Sequence, residues 1–159
     1  MRFENDSHIE RENRAIKKFC SLHNLSCKKL GANDVDFQVW KNNKLLGFVE
    51  VKGRHRLIAD AYPLPVAIRK LNKLQGELAP RKNPMLVWAC HDGIIYGKIR
   101  KLQGVVRFDG RKPRKGASND EEMMAYFSPQ EDIKKYGEFA LVIILNALIF
   151  YALYMWVCL

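Results

Sequence analysis

The sequence predicts a single α/β domain with a hydrophobic C-terminal segment. A helical apolar periodicity near the N-terminus, two apolar runs joined by an Asn-Asn turn and a charge-free run at the C-terminus are the three observations behind this prediction. The chain has 159 residues, a length that fits one compact core. We therefore assign residues 1–137 to the domain and residues 138–159 to a hydrophobic tail, the last helix of the predicted fold.

The first predicted helix begins near Ser7, which can cap it with Glu10 as the capping-box partner three residues later. Ile16 and Phe19 belong to its apolar side. Glu12 lies four residues before Ile16 on that side, where a carboxylate needs a partner. Glu12 is therefore a candidate for a functional site, with Glu10 as its substitute and a solvated helix position as the alternative.

Charged residues interrupt the two apolar runs of the predicted hairpin. Asp36, Glu50 and Lys52 would be costly to bury unless they are paired or hold a metal. Strand alternation places Glu50 and Lys52 on one face. A plain two-residue turn at Asn42 and Asn43 would direct Asp36 to the opposite face from Glu50. We therefore predict a three-residue loop, or a bulge with the same effect, that sets Asp36 opposite Glu50.

Two carboxylates that face each other across a hairpin, with Cβ atoms about 5 Å apart, suit a hard cation such as Mg²⁺ or Mn²⁺. Water and substrate phosphate oxygens would complete the coordination, and the carbonyl of Val51 is a further candidate ligand. Lys52 would orient or activate the nucleophile or neutralise the phosphate. The predicted chemistry is phosphodiester hydrolysis. The alternative is a solvated sheet face carrying an ordinary cross-strand ion pair.

The order of these residues resembles the PD-(D/E)xK nuclease superfamily, also called restriction-endonuclease-like. The resemblance rests on Glu12 in an acidic helix, on Asp36, and on Glu50-Val51-Lys52 after a hairpin. It covers residues 7–91, and it departs from the eponymous motif because Val35 replaces the proline. It implies a core of helix, mixed β-sheet with a catalytic hairpin, helix and strand, in which Glu12, Asp36 and Glu50 hold the metal.

A second helix is predicted to begin at Pro65, after a Pro-rich loop, and to end at Pro80. In similar nucleases a basic or amide residue of this helix approaches the site, so the resemblance implies Lys70 or Lys73, ahead of Gln75. Both lysines are predicted contacts to the nucleic acid. A buried strand from Met85 to Cys90 follows, and it forms a hairpin with residues 94–99 across an Asp-Gly turn.

The charge of the chain favours a polyanionic partner. Lys and Arg number 27 against 17 Asp and Glu, a formal net charge of +10. Arg111, Arg114 and Lys115 lie in a Gly- and Pro-punctuated loop that can lay cations along phosphates, and Arg54 follows the Glu-x-Lys strand as another phosphate contact. Simple solubility is the alternative for the loop. We expect Asp120 to begin a short acidic helix after it.

Residues 139–159 carry no charge. As a helix rising about 1.5 Å per residue they would span roughly 30 Å, the hydrocarbon thickness of a bilayer. Aromatic residues gather at the far end and two lysines precede the near end, which predicts a cytoplasmic catalytic domain anchored to the inner face of the membrane. The alternatives are packing on the domain or on a second copy, and an abnormal reading frame.

These observations predict a Mg²⁺- or Mn²⁺-dependent nuclease that hydrolyses DNA, with RNA as the alternative substrate. Its predicted role is that of an endonuclease in recombination, repair or phage DNA processing, and cutting two strands at once would favour a homodimer. The main alternative is a non-catalytic module of the same fold that binds nucleic acid or tethers to a membrane.

Overall fold

The computed structural model describes residues 6–31, 35–76, 83–111 and 120–137. Within these ranges the chain forms two helices and nine strands, together with one short 3₁₀ turn. In chain order they are α1 (Asp6–His23), β1 (Ser26–Lys29), β2 (Phe37–Lys41), β3 (Lys44–Gly53), β4 (Leu64–Ala67), α2 (Ile68–Gly76), β5 (Asn83–Ala89), β6 (Gly93–Lys98), β7 (Val105–Arg111), β8 (Asp120–Phe127) and β9 (Ile133–Gly137).

The strands form two sheets. The larger has the order β1-β2-β3-β5-β6-β9, and its β3–β5 pair is parallel whereas the neighbouring pairs are antiparallel. The smaller sheet has the order β4-β8-β7 and is antiparallel. The predicted α/β class, with a mixed sheet that contains the hairpin β2–β3, is confirmed. The predicted hairpin of β5 and β6 is present as well.

Two cores lie on opposite faces of the larger sheet. Helix α1 packs on the face of Val49 and Val51 through its buried stripe, which consists of Ala15, Ile16, Phe19 and Cys20. On the other face Leu86 and Trp88 pack against α2 and the smaller sheet. Because side chains alternate along β3, Glu50 points away from α1 toward this second core.

The hairpin β2–β3 contains both a tight turn and a bulge. Asn42 and Asn43 form a two-residue turn with φ of 48° and 61°, the left-handed conformation that Asn tolerates. The residue pairs are Lys41–Lys44, Trp40–Leu45, Val39–Gly47, Gln38–Phe48 and Phe37–Val49. The register therefore shifts by one at Leu46, and Asp36 follows opposite Glu50. The predicted three-residue loop is wrong, whereas the alternative bulge is confirmed.

The second helix begins later than predicted. Residues 64–67 form β4, which pairs with β8, so the helix begins at Ile68 and not at Pro65. Pro65 is tolerated because β4 is an edge strand, where a missing N–H interrupts no central ladder. The predicted helix end at Pro80 lies outside the described residues.

The segment after β6 also differs from the prediction. Arg111 ends β7, where a loop was expected, and Asp120 begins β8, where a helix was expected. Pairing between β7 and β8 overrides the local capping signal. Arg114 and Lys115 lie outside the described residues. So does the predicted hydrophobic helix at 138–159. Among the described residues, neither helix combines the length and apolarity needed to cross a membrane.

Candidate active site

Strand β3 and helix α2 bring two lysines to one buried carboxylate. Glu50 is a charged residue in a strand of Val, Phe and Leu, and it has no exposed surface. The Nζ of Lys52 lies 2.7 Å from Oε1 of Glu50, and the Nζ of Lys70 lies 2.9 Å from the same oxygen. Two ammonium groups on one oxygen offset the loss of hydration that burial imposes on this carboxylate.

Asp36 is the second carboxylate of the cluster. Its Oδ2 accepts a hydrogen bond of 2.7 Å from the backbone N–H of Val51. Burial raises the pKa of Asp36, and the nearby charge of Glu50 raises it further. The Val51 N–H, Lys52 and Lys70 act in the opposite direction but do not cancel the increase. Asp36 therefore has a destabilised negative charge beside a second carboxylate.

The bulge in the hairpin is what places Asp36 in this cluster. If the pairing nearest the turn continued without a shift, Asp36 would lie opposite Val49, on the α1 side of the sheet. The one-residue shift reverses that orientation. A local irregularity of the kind common beside functional sites thus assembles the two carboxylates.

One oxygen of the cluster has no protein partner. Within the part of the chain that the structure describes, Oε2 of Glu50 is buried and receives no hydrogen bond. A buried carboxylate oxygen without a donor is energetically unfavourable, and a ligand that binds it relieves this deficit. The orphaned oxygen and the neighbouring Asp36 carboxylate fit a divalent cation with oxygen ligands.

The described residues contain no preformed group of three or more His, Cys, Asp and Glu side chains that could hold a metal. Mg²⁺ does not require such a cage, since it is often held by one or two carboxylates with water and phosphate oxygens. Glu12 lies in α1, the layer opposite to Glu50, and is engaged in an interaction of its own. Its role as a third ligand, like that of the Val51 carbonyl, stays a prediction.

Arg54, predicted to contact phosphate, is used within the fold. Its Nε donates to the carbonyl of Ala61 at 2.6 Å, and its Nη2 donates to that of Pro63 at 3.2 Å. Burial lowers the pKa of this guanidinium. These bonds connect the end of β3 to the loop before β4, and the contact of Arg54 with phosphate stays a prediction.

The other predicted nucleic-acid contacts are dispersed. Lys70 is part of the carboxylate cluster, and Lys73 lies in the last turn of α2. Arg111 ends β7. Of the two lysines that the resemblance implied, the structure brings Lys70 to the site.

A cationic and imidazole cluster lies where β3 and β5 end, and the sequence did not reveal it. Nη1 of Arg11 lies 2.7 Å from Nε2 of His55, whose ring lies 5.0 Å from the ring of His8 and 6.0 Å from that of His91. The position of His55 three residues after Lys52 was the only signal. Arg11 and His91 come from distant parts of the chain, and both the pairing of β3 with β5 and the packing of α1 on these strands are needed to bring them together.

Comparison with known proteins gives one family. The family model described as "Phage putative PDDEXK endonuclease" matches residues 1–135. No curated protein and no solved structure matches the chain significantly.

Proposed function

The chain belongs to this phage PDDEXK endonuclease family, and on that premise we propose that it is a divalent-metal-dependent endonuclease that hydrolyses DNA. The observation that carries the proposal is the fully buried Glu50, which binds two lysines through Oε1 and leaves Oε2 without a donor in the described structure. Asp36 supplies the second carboxylate. This arrangement resembles a cation site more than a closed structural ion pair, in which both carboxylate oxygens would be satisfied.

The carboxylates of Asp36 and Glu50 would hold the metal, which we propose to be Mg²⁺ or Mn²⁺. When bound, such an ion lowers the pKa of a coordinated water and stabilises negative charge on a phosphate. Because the pKa of Asp36 is raised, protons compete with the metal for this carboxyl group more effectively than for an ordinary Asp. Metal affinity should therefore decrease as the pH is lowered.

The two lysines have different roles in this proposal. The side chain of Lys52 is 31% exposed, so its ammonium can reach a substrate phosphate at the mouth of the site and stabilise charge there. Lys70 is more buried and holds Oε1 of Glu50, which leaves Oε2 for the cation. Lys52 is thus the proposed catalytic residue, and Lys70 is a positioning residue.

The proposed substrate follows from the charge of the chain. A net charge of +10 favours a polyanion, and Arg11 adds a cation beside the end of β3, where it contacts His55. The family description supports a phage enzyme, and we propose DNA processing, recombination or repair as its setting. The match over residues 1–135 supports a domain that ends near residue 137. A cytoplasmic domain anchored by residues 139–159 remains our proposal from sequence.

The test incubates the full chain with plasmid, linear, single-stranded and branched DNA, and with RNA, in the presence of Mg²⁺, Mn²⁺ or EDTA, and measures cleavage of each substrate. We expect DNA cleavage that requires the metal and that falls by about 100-fold or more in Lys52→Met, the size of effect seen when one charge-stabilising donor is removed. Lys101→Met is the matched control, because Lys101 forms an exposed ion pair with Asp132. Intact substrates with salt-sensitive binding would instead support the non-catalytic nucleic-acid-binding module.

A further inference from the structure

Strand β7 is an exposed sheet edge with apolar residues on both of its faces. Among the described residues it pairs with β8 alone, at one end of the smaller sheet. Val105 is 70% exposed, Val106 50% and Phe108 65%. The seven residues of β7 contain no proline and no register shift, which are two of the common devices that protect an edge from pairing.

The apolar residues of this edge continue the core face of the smaller sheet. Ala125 and Phe127 of β8 are buried in the core on one face. Val106 pairs with Ala125, so it lies on that same face, and Phe108 and its partner Met123 extend the stripe outward into solvent. An apolar stripe that runs from a core onto an open strand edge is typical of an interaction surface.

We propose that β7 pairs antiparallel with β7 of a second copy of this chain, around a twofold axis at Phe108. The two smaller sheets would then form one continuous six-stranded sheet. Each copy offers the same patch to the other, as a twofold-symmetric interface requires. Phe108 would lie against Phe108 of the second copy, which joins the two apolar stripes.

Charge and the length of the paired segment together select this register. A twofold axis perpendicular to the sheet must pass through a residue paired with its own copy. An axis at Arg107 would oppose two guanidinium groups, and an axis at Asp109 would oppose two carboxylates. The axis at Phe108 instead pairs Arg107 with Asp109 of the second copy, twice. It also pairs Val106 with Gly110 of the second copy, which leaves room for the valine side chain. All seven residues of β7 take part in this pairing.

The charges beside the proposed axis fit a second copy better than a phosphate backbone. Among the side chains that the structure describes on β7 and β8, Arg107 lies beside three carboxylates, on Asp109, Glu121 and Glu122. A phosphate laid along these described side chains would meet more negative than positive charge. A second copy meets complementary charge, so the second copy is the occupant that the surface fits.

The first test is a disulfide cross-link at the axis. Directly opposed residues of an antiparallel pair have Cα atoms about 4.5–5.5 Å apart, within the range of about 4.4–6.8 Å that a disulfide needs. Phe108→Cys should therefore cross-link two chains under mild oxidation. Val106→Cys is the matched control, because the two copies of this residue would be roughly 14 Å apart at about 3.3 Å per residue along the strand. Both variants also carry Cys27→Ser and Cys158→Ser, so that neither of these cysteines can form the cross-link.

The second test reverses the charges and follows the mass of the full chain by sedimentation at several concentrations. The unmodified chain should dimerise, whereas Arg107→Asp alone and Asp109→Arg alone should each weaken dimerisation tenfold or more. The two single variants mixed together should form heterodimers, and the double variant should dimerise again. Each single substitution also disturbs contacts within the chain, because both residues contact Tyr126 and Arg107 forms a 3.4 Å ion pair with Asp109. The double variant restores that internal pair, so recovery in the mixture is the result that separates the interface from misfolding.

Leu57→Lys controls for a general effect of surface hydrophobicity, since Leu57 is 48% exposed and lies in a loop. It should leave the dimer intact. A chain that stays monomeric at every concentration would overturn the proposal. That result is expected if residues 139–159 or nucleic acid cover this edge instead of a second copy. Equal cross-linking of Phe108→Cys and Val106→Cys would overturn it as well.

Discussion

Replacing Lys70 by methionine removes one of the two ammonium groups on Oε1 of Glu50 and keeps most of the aliphatic side chain. The Coulomb attraction at 2.9 Å amounts to about 6 kcal/mol at an effective dielectric constant of 20. The hydration that Lys70 loses on burial offsets much of this attraction, and Lys52 still neutralises Glu50 in the variant. We therefore expect Lys70→Met to lower the free energy of unfolding by about 2–3 kcal/mol.

A double-mutant cycle isolates the ion pair from other effects of the substitution. In a Glu50→Gln background, Lys70 keeps only its weaker electrostatic interaction with Asp36, so Lys70→Met should cost less than about 1 kcal/mol, and the coupling energy should be about 2 kcal/mol. The assay is urea unfolding of the full chain, with comparable slopes in all four proteins.

The control lies in the same turn of α2. Arg69 forms a 2.7 Å ion pair with Glu122, but its side chain is 70% exposed, so Arg69→Met should cost about 0.5 kcal/mol. Equal losses for Lys70→Met in both backgrounds would refute the argument. A loss no larger than that of Arg69→Met would refute it too.

Three further predictions follow from the site and the hairpin. The pKa of Asp36 is raised above 3.8, so the contribution of this carboxyl group to folding stability is complete below pH 3.8 and is lost as the pH rises through the folded-state pKa. Asp36→Asn should therefore unfold at a higher temperature than the parent at pH 7. This gain should shrink as the pH is lowered toward 3.8. Gly47→Ala would place a Cβ into the carbonyl oxygen of Asn83, so it should lower the free energy of unfolding in urea by about 1–3 kcal/mol. An unchanged midpoint would contradict the β3–β5 register. Asn42→Val forces a β-branched residue into φ of 48° and should cost about 1–2 kcal/mol in the same assay, whereas Asn42→Gly should have little effect.

The hairpin could be predicted from the sequence because its constraints are local. Alternation fixed the face that Glu50 and Lys52 share, and the requirement that Asp36 join them led to the bulge. The sequence did not decide between a longer loop and a bulge, since Asn42 and Asn43 suit either. The left-handed turn that two asparagines can form settles the matter in favour of a tight turn.

The errors arose where distant segments decide the local structure. Pro65 reads as a helix start, yet Leu64–Ala67 pairs with β8, a strand some sixty residues later in the chain. Asp120 reads as a helix cap, yet it pairs with Arg111 across the smaller sheet. Such pairings leave no short-range signal, because partners rather than propensity define them.

The choice between Lys70 and Lys73 required the orientation of α2, which depends on its core contacts. Leu71 and Leu74 direct the helix into the core beneath the smaller sheet, and Lys70 consequently reaches Glu50. The position of Glu12 likewise depends on which face of the larger sheet α1 covers. Sequence periodicity shows that a helix has a buried side but not what it is buried against.

The measurement that tests the central claim most directly is the single-turnover rate of DNA cleavage by Glu50→Gln, with saturating Mg²⁺ and with DNA binding measured in parallel. Glu131→Gln is the control, because Glu131 is exposed in a turn before β9. We predict that Glu50→Gln binds DNA but cleaves it about 100-fold or more slowly, while Glu131→Gln cleaves at the parental rate. Equal cleavage by the two variants would show that the chemistry takes place elsewhere on the chain.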